Sequence, residues 1–160
     1  MRIIYPWSAI AAMGPNRGIG HKGKLPWNLP DELKWFRQKT LGQTIVMGRN
    51  TWDSIGQRAL PGRLNVVVSS TLVPSDLPEG VRLIHSLDEL QSFTPQGSIM
   101  IIGGKILYEK ALPYCKNLFL TYIKGDYPAD TFFPEFEPYF DQGEEVMDHQ
   151  DFTVRHHKAV

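Results

Sequence analysis

Leu25-Pro26-Trp27-Asn28-Leu29-Pro30-Asp31-Glu32-Leu33-Lys34-Trp35-Phe36 closes a glycine-rich loop and opens a helix. Pro30 suits the first helical turn, where its missing N–H is not needed. Acids at 31 and 32 suit the positive end of the helix dipole. Advancing by about 100° per residue puts Leu29, Leu33, Phe36 and Thr40 on one side of Glu32 and Trp35 on the other. Asp31, Lys34, Arg37 and Gln38 take the opposite face, so Asp31 is expected in water. Glu32 is the anomaly, an acid inside an apolar arc, where a buried carboxylate needs a partner. It is paired with an interior arginine, or bent out to solvent, or aimed into a pocket. In a pocket it would hold a flat, donor-rich ligand by two parallel hydrogen bonds. Burial would then raise its pKa toward the range useful for acid–base chemistry.

Outward from this stretch, strands and helices alternate. Ile3–Met13 reads as a buried strand, and Gly14–Leu25, with Gly14, Gly18, Gly20 and Gly23, as a mobile loop. Thr44–Met47 is a short apolar strand, followed by a short helix through Trp52 and Ile55. Leu64–Val68 and Val81–Ile84 read as strands. Ser86-Leu87-Asp88-Glu89 matches a capping box and starts another helix. Ser98–Ile102 runs into Gly103-Gly104 and a helix from Lys105 to about Leu112, and Leu118–Ile123 is a strand. Glu144–Asp148 and Phe152–Lys158 read as a closing hairpin turning around His149-Gln150-Asp151. The fold class is α/β: a mostly parallel central sheet of about eight strands, helices on both faces, and a C-terminal antiparallel hairpin.

The chain has 160 residues, which fits a single domain over 1–160 with a real core. Seventeen basic and seventeen acidic residues cancel, so no global charge draws it to nucleic acid or an anionic membrane. Cys115 is the only cysteine, which rules out an internal disulfide and fits a reducing compartment. No apolar run reaches the length of a membrane span. Ala9-Ile10-Ala11 mimics a signal-peptidase site, but Pro6 breaks the short run before it, and the residues read better as a strand.

Three strand ends carry the same kind of content. Met47 is followed by Gly48-Arg49-Asn50-Thr51, Val68 by Ser69-Ser70-Thr71, and Ile102 by Gly103-Gly104. Ligands of open parallel sheets bind outside the carboxyl ends of the strands, where helix N-termini favour anions. Three such ends together point to a ligand with several phosphates, such as a dinucleotide. The literal match Gly18-Ile19-Gly20-His21-Lys22-Gly23 to G-x-G-x-x-G misleads, because Leu25-Pro26 intervenes before any helix. No Walker sequence occurs, and no metal-ligand spacing is convincing. His156 and His157 are strand neighbours pointing to opposite faces and are expected at the surface. Cys115 is expected to be a packing residue.

Taken together, these residues resemble the dihydrofolate reductase family from about Ile3 through Pro134. The pieces that carry the resemblance are Gly18-Ile19-Gly20 with Leu25-Pro26-Trp27-Asn28-Leu29-Pro30, Met47-Gly48-Arg49-Asn50-Thr51-Trp52, Ser54-Ile55-Gly56, Leu60-Pro61-Gly62-Arg63, Ile102-Gly103-Gly104 with Tyr108, Thr121, and Asp130-Thr131. The resemblance implies NADPH-dependent reduction of 7,8-dihydrofolate, with hydride reaching C6 and a proton reaching N5. It implies that Glu32 holds the pterin ring, that Thr121 hydrogen-bonds Glu32, and that Trp27 fixes an ordered water, with Tyr108 completing the catalytic group. Ile10, Leu33, Phe36, Ile55, Leu60 and Ile102 would line the substrate site, and Arg63 would pair with the folate glutamate carboxylate. The cofactor set it implies is Ala12, Gly18, Ile19, Gly20, Leu25, Gly48, Arg49, Asn50, Thr51, Ser69, Ser70, His85, Gly103, Gly104, Lys105, Ile106, Leu107, Tyr108 and Thr131, with no metal. Arg49, Ser69 and Ser70 would hold the 2′-phosphate, which favours NADPH over NADH, and Gly18–Leu25 would be the lid. A cytoplasmic monomer binding dihydrofolate and antifolate-like small molecules, and neither nucleic acid nor membrane, is the expectation.

Several residues depart from the family pattern. Glu32 stands where bacterial members usually carry Asp. Lys105 replaces a small residue, Ile106 stands where some members place a phosphate-binding Arg, Gln57-Arg58-Ala59 is one residue longer, and the last hairpin is short. Two other readings are kept: a reductase of another heterocycle on the same fold, such as a ribosylamino-pyrimidine, and a non-catalytic pterin- or nucleotide-binding module.

Overall fold

The computed structural model describes residues 2–160. Among the described residues there are ten strands: β1 Tyr5–Met13, β2 Gly18–Gly20, β3 Thr44–Gly48, β4 Leu64–Val68, β5 Arg82–Ile84, β6 Ile99–Gly103, β7 Cys115–Ile123, β8 Thr131–Phe132, β9 Glu144–Asp148 and β10 Phe152–Lys158. The α-helices are α1 Pro30–Thr40, α2 Arg49–Ser54 and α3 Lys105–Ala111. Eight strands form one sheet in the order β5-β4-β3-β6-β1-β7-β10-β9. The pairs from β5 through to β7 are all parallel. β10 is antiparallel to both β7 and β9, so the closing hairpin lies at one edge as expected.

Side-chain alternation along β1 explains the two layers. Ala9, Ala11 and Met13 pack with Leu107, Tyr108 and Ala111 of α3 in the larger core. Ala12 turns the other way, into a cluster with Trp27, Trp35 of α1, Ile123, Phe152 and Val154. On that same side of the molecule, Ile45, Met47 and Val67 pack on Trp52 of α2, Ile55, Leu60 and Ile102. Helices therefore cover both faces.

Several elements differ from the sequence reading. β1 starts at Tyr5 rather than Ile3, and Ile3 and Ile4 are exposed. Its ladder partners begin at Cys115 opposite Tyr5 and Ile99 opposite Trp7, so earlier residues have nothing to pair with. The segment from Ser86 makes only a 3-10 turn, Leu87–Gln91. Glu89 accepts the N–H groups of His85 and Ser86 as a capping acid should, but Pro95 lies too close for a longer helix. α3 likewise stops at Ala111 and tightens into a 3-10 turn, Leu112–Tyr114, around Pro113. The glycine-rich segment is not a plain loop, because β2 pairs with β8, a partner more than a hundred residues away. His157 is buried rather than at the surface: it accepts from Tyr122 Oη at 2.8 Å and donates from Nδ1 to the Asp141 carbonyl at 2.8 Å. His156 takes the other face of β10 and stacks on Phe119. Cys115 is buried as expected, and burial pushes its thiol up to about 12. No helix among the described residues is long and apolar enough to cross a membrane.

Candidate active site

The carboxyl ends of β1, β3, β4 and β6 open into one cleft of about 2180 Å³. That is roughly twice the upper end of the usual size for a single small-molecule site, and it gives room for two ligands side by side. One wall is α1. Its apolar arc brings Glu32, Leu33 and Phe36 into the lining, faced by Ile10, Ala12, Ile55, Leu60 and Ile102. Leu33 remains half exposed at the rim. Trp27 closes this end, packed edge-on against Tyr127 with ring centroids 6.0 Å apart.

Glu32 is 6% exposed. Burial raises its carboxyl from the ordinary 4.5 to about 7. The reading of Glu32 as an inward acid is thus what the fold forms, with neither an interior arginine nor a turn to solvent to neutralise it. Two other polar atoms nearby lack a protein partner although buried: Trp27 Nε1 and Thr121 Oγ1. The hydrogen bond expected between Thr121 and Glu32 is therefore not made. Thr121 sits in β7 with Ala12 and Val154 as its neighbours on the two flanking strands. Thr121 lies behind the cleft wall rather than in its lining. Tyr108 donates its hydroxyl to the Ile10 carbonyl at 2.7 Å. Burial and then the charge of Glu32 push its pKa far above the ordinary phenol value. The bond commits the phenol proton to that carbonyl and ties α3 to β1 beneath the cleft.

The other half of the cleft is built from backbone and small side chains. Gly48, Arg49, Asn50 and Thr51 open α2, and Gly103, Gly104, Lys105 and Ile106 open α3. The Gly103–Gly104 peptide is cis. A Cβ on Gly103 would come within 3.3 Å of Thr51 Oγ1 and 3.4 Å of Tyr108 Oη, at a φ of 126° that L-residues rarely adopt. Glycine here keeps the concave backbone open between two helix starts, a surface suited to phosphate oxygens. Ser69, Ser70 and His85 line the far end. His85 Nδ1 donates to the Ser69 carbonyl at 3.0 Å, which leaves Nε2 free. Arg49 is held by Asp53 at 3.1 Å. Lys105 lies 3.9 Å from Glu109 on its own helix, and Ile106 is exposed at the rim. Leu107 is chiefly a core residue beneath the same wall.

Ile19, Gly20, Leu25 and Thr131 form the flap over the cleft. Asp130 N–H donates to Gly20 O at 2.9 Å and Lys22 N–H to Asp130 Oδ2 at 2.9 Å. Arg17 reaches Glu137 at 2.7 Å and the Pro134 carbonyl at 2.8 Å. Gly18 is not in the lining. A side chain there would overlap Ala129 Cβ and crowd Asn16 Oδ1, so its smallness serves the packing of the flap, not the ligand.

Arg63 donates to Thr40 Oγ1 at 3.1 Å and to the Pro61 carbonyl at 3.0 Å, neither of them a carboxylate. Burial and the nearby Arg37 charge lower its pKa. Arg37 was assigned to the solvent face by helical angle, yet it lines the cleft beside Arg63. Arg37 is exposed, as its helical angle predicts, but it follows Leu33 by one turn and its charge reaches Arg63. Two guanidiniums side by side favour an anionic ligand group.

Comparison with known proteins agrees with this geometry. The profile of the family described as dihydrofolate reductase matches residues 7–158. The chain is 44% identical over 133 residues to dihydrofolate reductase of Buchnera aphidicola from Acyrthosiphon pisum, covering 82% of this chain and 81% of that one. It is 48% identical over 130 residues to dihydrofolate reductase type 3 of Salmonella typhimurium, covering 81% and 78%. Dihydrofolate reductase from Enterococcus faecalis, solved in complex with NADP(H) and RAB-propyl, superposes with a TM-score of 0.82 at 32% identity, covering 98% of this chain and 96% of that one.

Proposed function

The chain belongs to the dihydrofolate reductase family, and from that premise we propose how its cleft carries out NADPH-dependent reduction of 7,8-dihydrofolate to 5,6,7,8-tetrahydrofolate. The observation that carries the assignment of roles is Glu32: one ionisable group, buried in an apolar wall, with a pKa moved to about 7 by that burial.

Glu32 binds the amino-pyrimidine edge of the pterin by paired hydrogen bonds, which are strong because one partner is charged. Its high proton affinity keeps a proton near the ring at neutral pH and favours the protonated pterin, with N5 reached through water. Ile10, Leu33, Phe36, Ile55, Leu60 and Ile102 enclose the rings, and Arg63, with Arg37 beside it, receives the glutamate carboxylates of folate. The glycine pair and the starts of α2 and α3 fit a pyrophosphate, because they offer backbone N–H groups with no Cβ in the way. Arg49, Ser69, Ser70 and His85 surround the place for the 2′-phosphate. NADPH supplies the hydride that reaches C6 of the pterin. The chain's own contribution is to hold two rings in contact, exclude water under the 18–25 flap, and keep the proton at hand. Antifolate-like small molecules would occupy the same Glu32 wall. We assign the chain to a single domain working as a cytoplasmic monomer.

The direct test follows absorbance of NADPH on addition of dihydrofolate. Consumption that requires both, and that NADH supports far less well, is the expected result. Binding of both compounds without consumption would reduce the protein to a ligand-binding module.

A further inference from the structure

The turn between β9 and β10 carries a side-chain cluster that the reaction above does not use. Asp151 N–H donates to His149 Nδ1 at 3.0 Å, so that nitrogen is an acceptor and the ring proton sits on Nε2. Nε2–H then donates to Asp31 Oδ2 at 2.9 Å. The ring stacks nearly parallel on Phe152, with centroids 4.5 Å apart. Phe152 is itself buried against Trp27, Ile123 and Val154. Lys124, just beyond β7, pins the turn from the other side: its N–H donates to Asp151 O at 2.9 Å and its Nζ to His149 O at 2.9 Å. The tip of the closing hairpin therefore bridges the end of β7, which carries Thr121, and the first turn of α1.

Among the described residues, that turn makes no other side-chain hydrogen bond. The residue before α1 is Leu29, which offers no side-chain cap, so the helix start lacks the usual local brace. Asp31 directly precedes Glu32, and whatever fixes Asp31 fixes the backbone from which Glu32 reaches the cleft. The hairpin is short, yet it ends where it can supply this brace.

We propose that His149 is a positioning residue for the reaction: through Asp31 it holds the first turn of α1, so that the Glu32 carboxyl stays aimed into the cleft. The proposal rests on the reading of Glu32 as the pterin-binding acid. The charged groups facing the imidazole are Asp31 from α1, Lys124 from the end of β7, and Asp148 and Asp151 from the hairpin itself. The Asp151 carboxylate lies 3.8 Å from His149 Nδ1. Asp31 is 66% exposed, which limits the effect of losing the pair to a few-fold.

The test compares wild type, His149→Ala, His149→Gln, Asp31→Ala and the His149→Ala/Asp31→Ala double variant in steady-state assays from about pH 5.5 to 9. His149→Ala should lower kcat about three- to five-fold with KM for NADPH unchanged. It should also lower the inflection governed by Glu32 toward the ordinary carboxylate range, because a loosened first turn lets water reach the carboxyl that burial had raised. His149→Gln keeps an N–H where the imidazole Nε2–H was and should restore rate and inflection. The double variant should be no slower than Asp31→Ala, since both remove one contact. Wild-type kcat and inflection in His149→Ala would overturn the proposal, as would losses that multiply in the double variant or a lower kcat with an unmoved inflection. If wild type itself does not oxidise NADPH with dihydrofolate, the reading of the site fails instead. The brace is then still read in the ligand-free protein by 13C NMR titration of the Glu32 carboxyl, which His149→Ala should displace and His149→Gln should not; no displacement overturns it.

Discussion

Replacing Glu32 by Gln should stabilise the ligand-free protein, and only at neutral to alkaline pH. Burial raises the carboxyl from 4.5 to about 7. Below pH 4.5 the folded and unfolded chains both carry the proton, and the acid behaves as a neutral group. As pH rises past 4.5 the unfolded chain ionises while the folded one resists, so stability falls; the loss is complete once pH passes about 7. At about 1.4 kcal/mol per pH unit the full penalty is about 3 kcal/mol. The side chain is almost wholly buried, so little of this is screened. Gln keeps the shape and stays neutral, so the variant escapes the penalty. Urea denaturation followed by tryptophan fluorescence should show a difference under about 0.5 kcal/mol near pH 4.5 and about 3 kcal/mol near pH 8.5. The thermal midpoint should rise by roughly 6–12 °C at the higher pH for a chain of this size. Unchanged m-values would show that the native state, not the denatured ensemble, is responsible. A gain that does not vary with pH, or a loss at both, would refute the claim that an uncompensated buried charge sits at position 32.

The same substitution should lower turnover of dihydrofolate by roughly 10²–10⁴ and abolish the decline of kcat/KM above pH 7 that wild type should show; stopped-flow absorbance across pH checks both, and wild-type turnover at neutral pH would remove Glu32 from the chemistry. Arg63→Ala should raise the dissociation constant for dihydrofolate about 10- to 100-fold, the scale of a lost charge-assisted bond, and leave NADPH binding alone; fluorescence titration with each ligand separates the two. Gly103→Ala should weaken NADPH at least tenfold and cost about 1–3 kcal/mol in stability, because the new Cβ meets Thr51 and Tyr108 at a φ of 126°; calorimetric titration with NADPH would show an unchanged affinity if the glycine pair were not a phosphate cradle.

Helical spacing alone placed Glu32 inside an apolar arc, and apolar strands running into small polar residues or glycines marked the three ends that line the cleft. These were legible because periodicity reports which face of its own element a residue occupies. The hairpin at 144–158 was legible for the same reason, and the resemblance to a known family supplied roles that periodicity cannot. Where the reading failed, a distant partner had the deciding contact. His157 is buried because Asp141 and Tyr122 offer it partners, and Gly18–Gly20 becomes a strand because β8 lies beside it. Thr121, expected to bond Glu32, makes no protein hydrogen bond through its hydroxyl.

What the sequence by itself determined is most strands of the main sheet, the layers they form, and the inward acid, since each follows from local propensity and the face a residue must bury. What only the tertiary structure decided is how much that acid's pKa moves, which cations meet at the rim, and that His149 reaches Asp31 across 118 residues of chain. Those depend on desolvation and on side-chain reach between elements. Neither quantity is carried by any short window of sequence, because both are set by what packs against the residue and not by what precedes it.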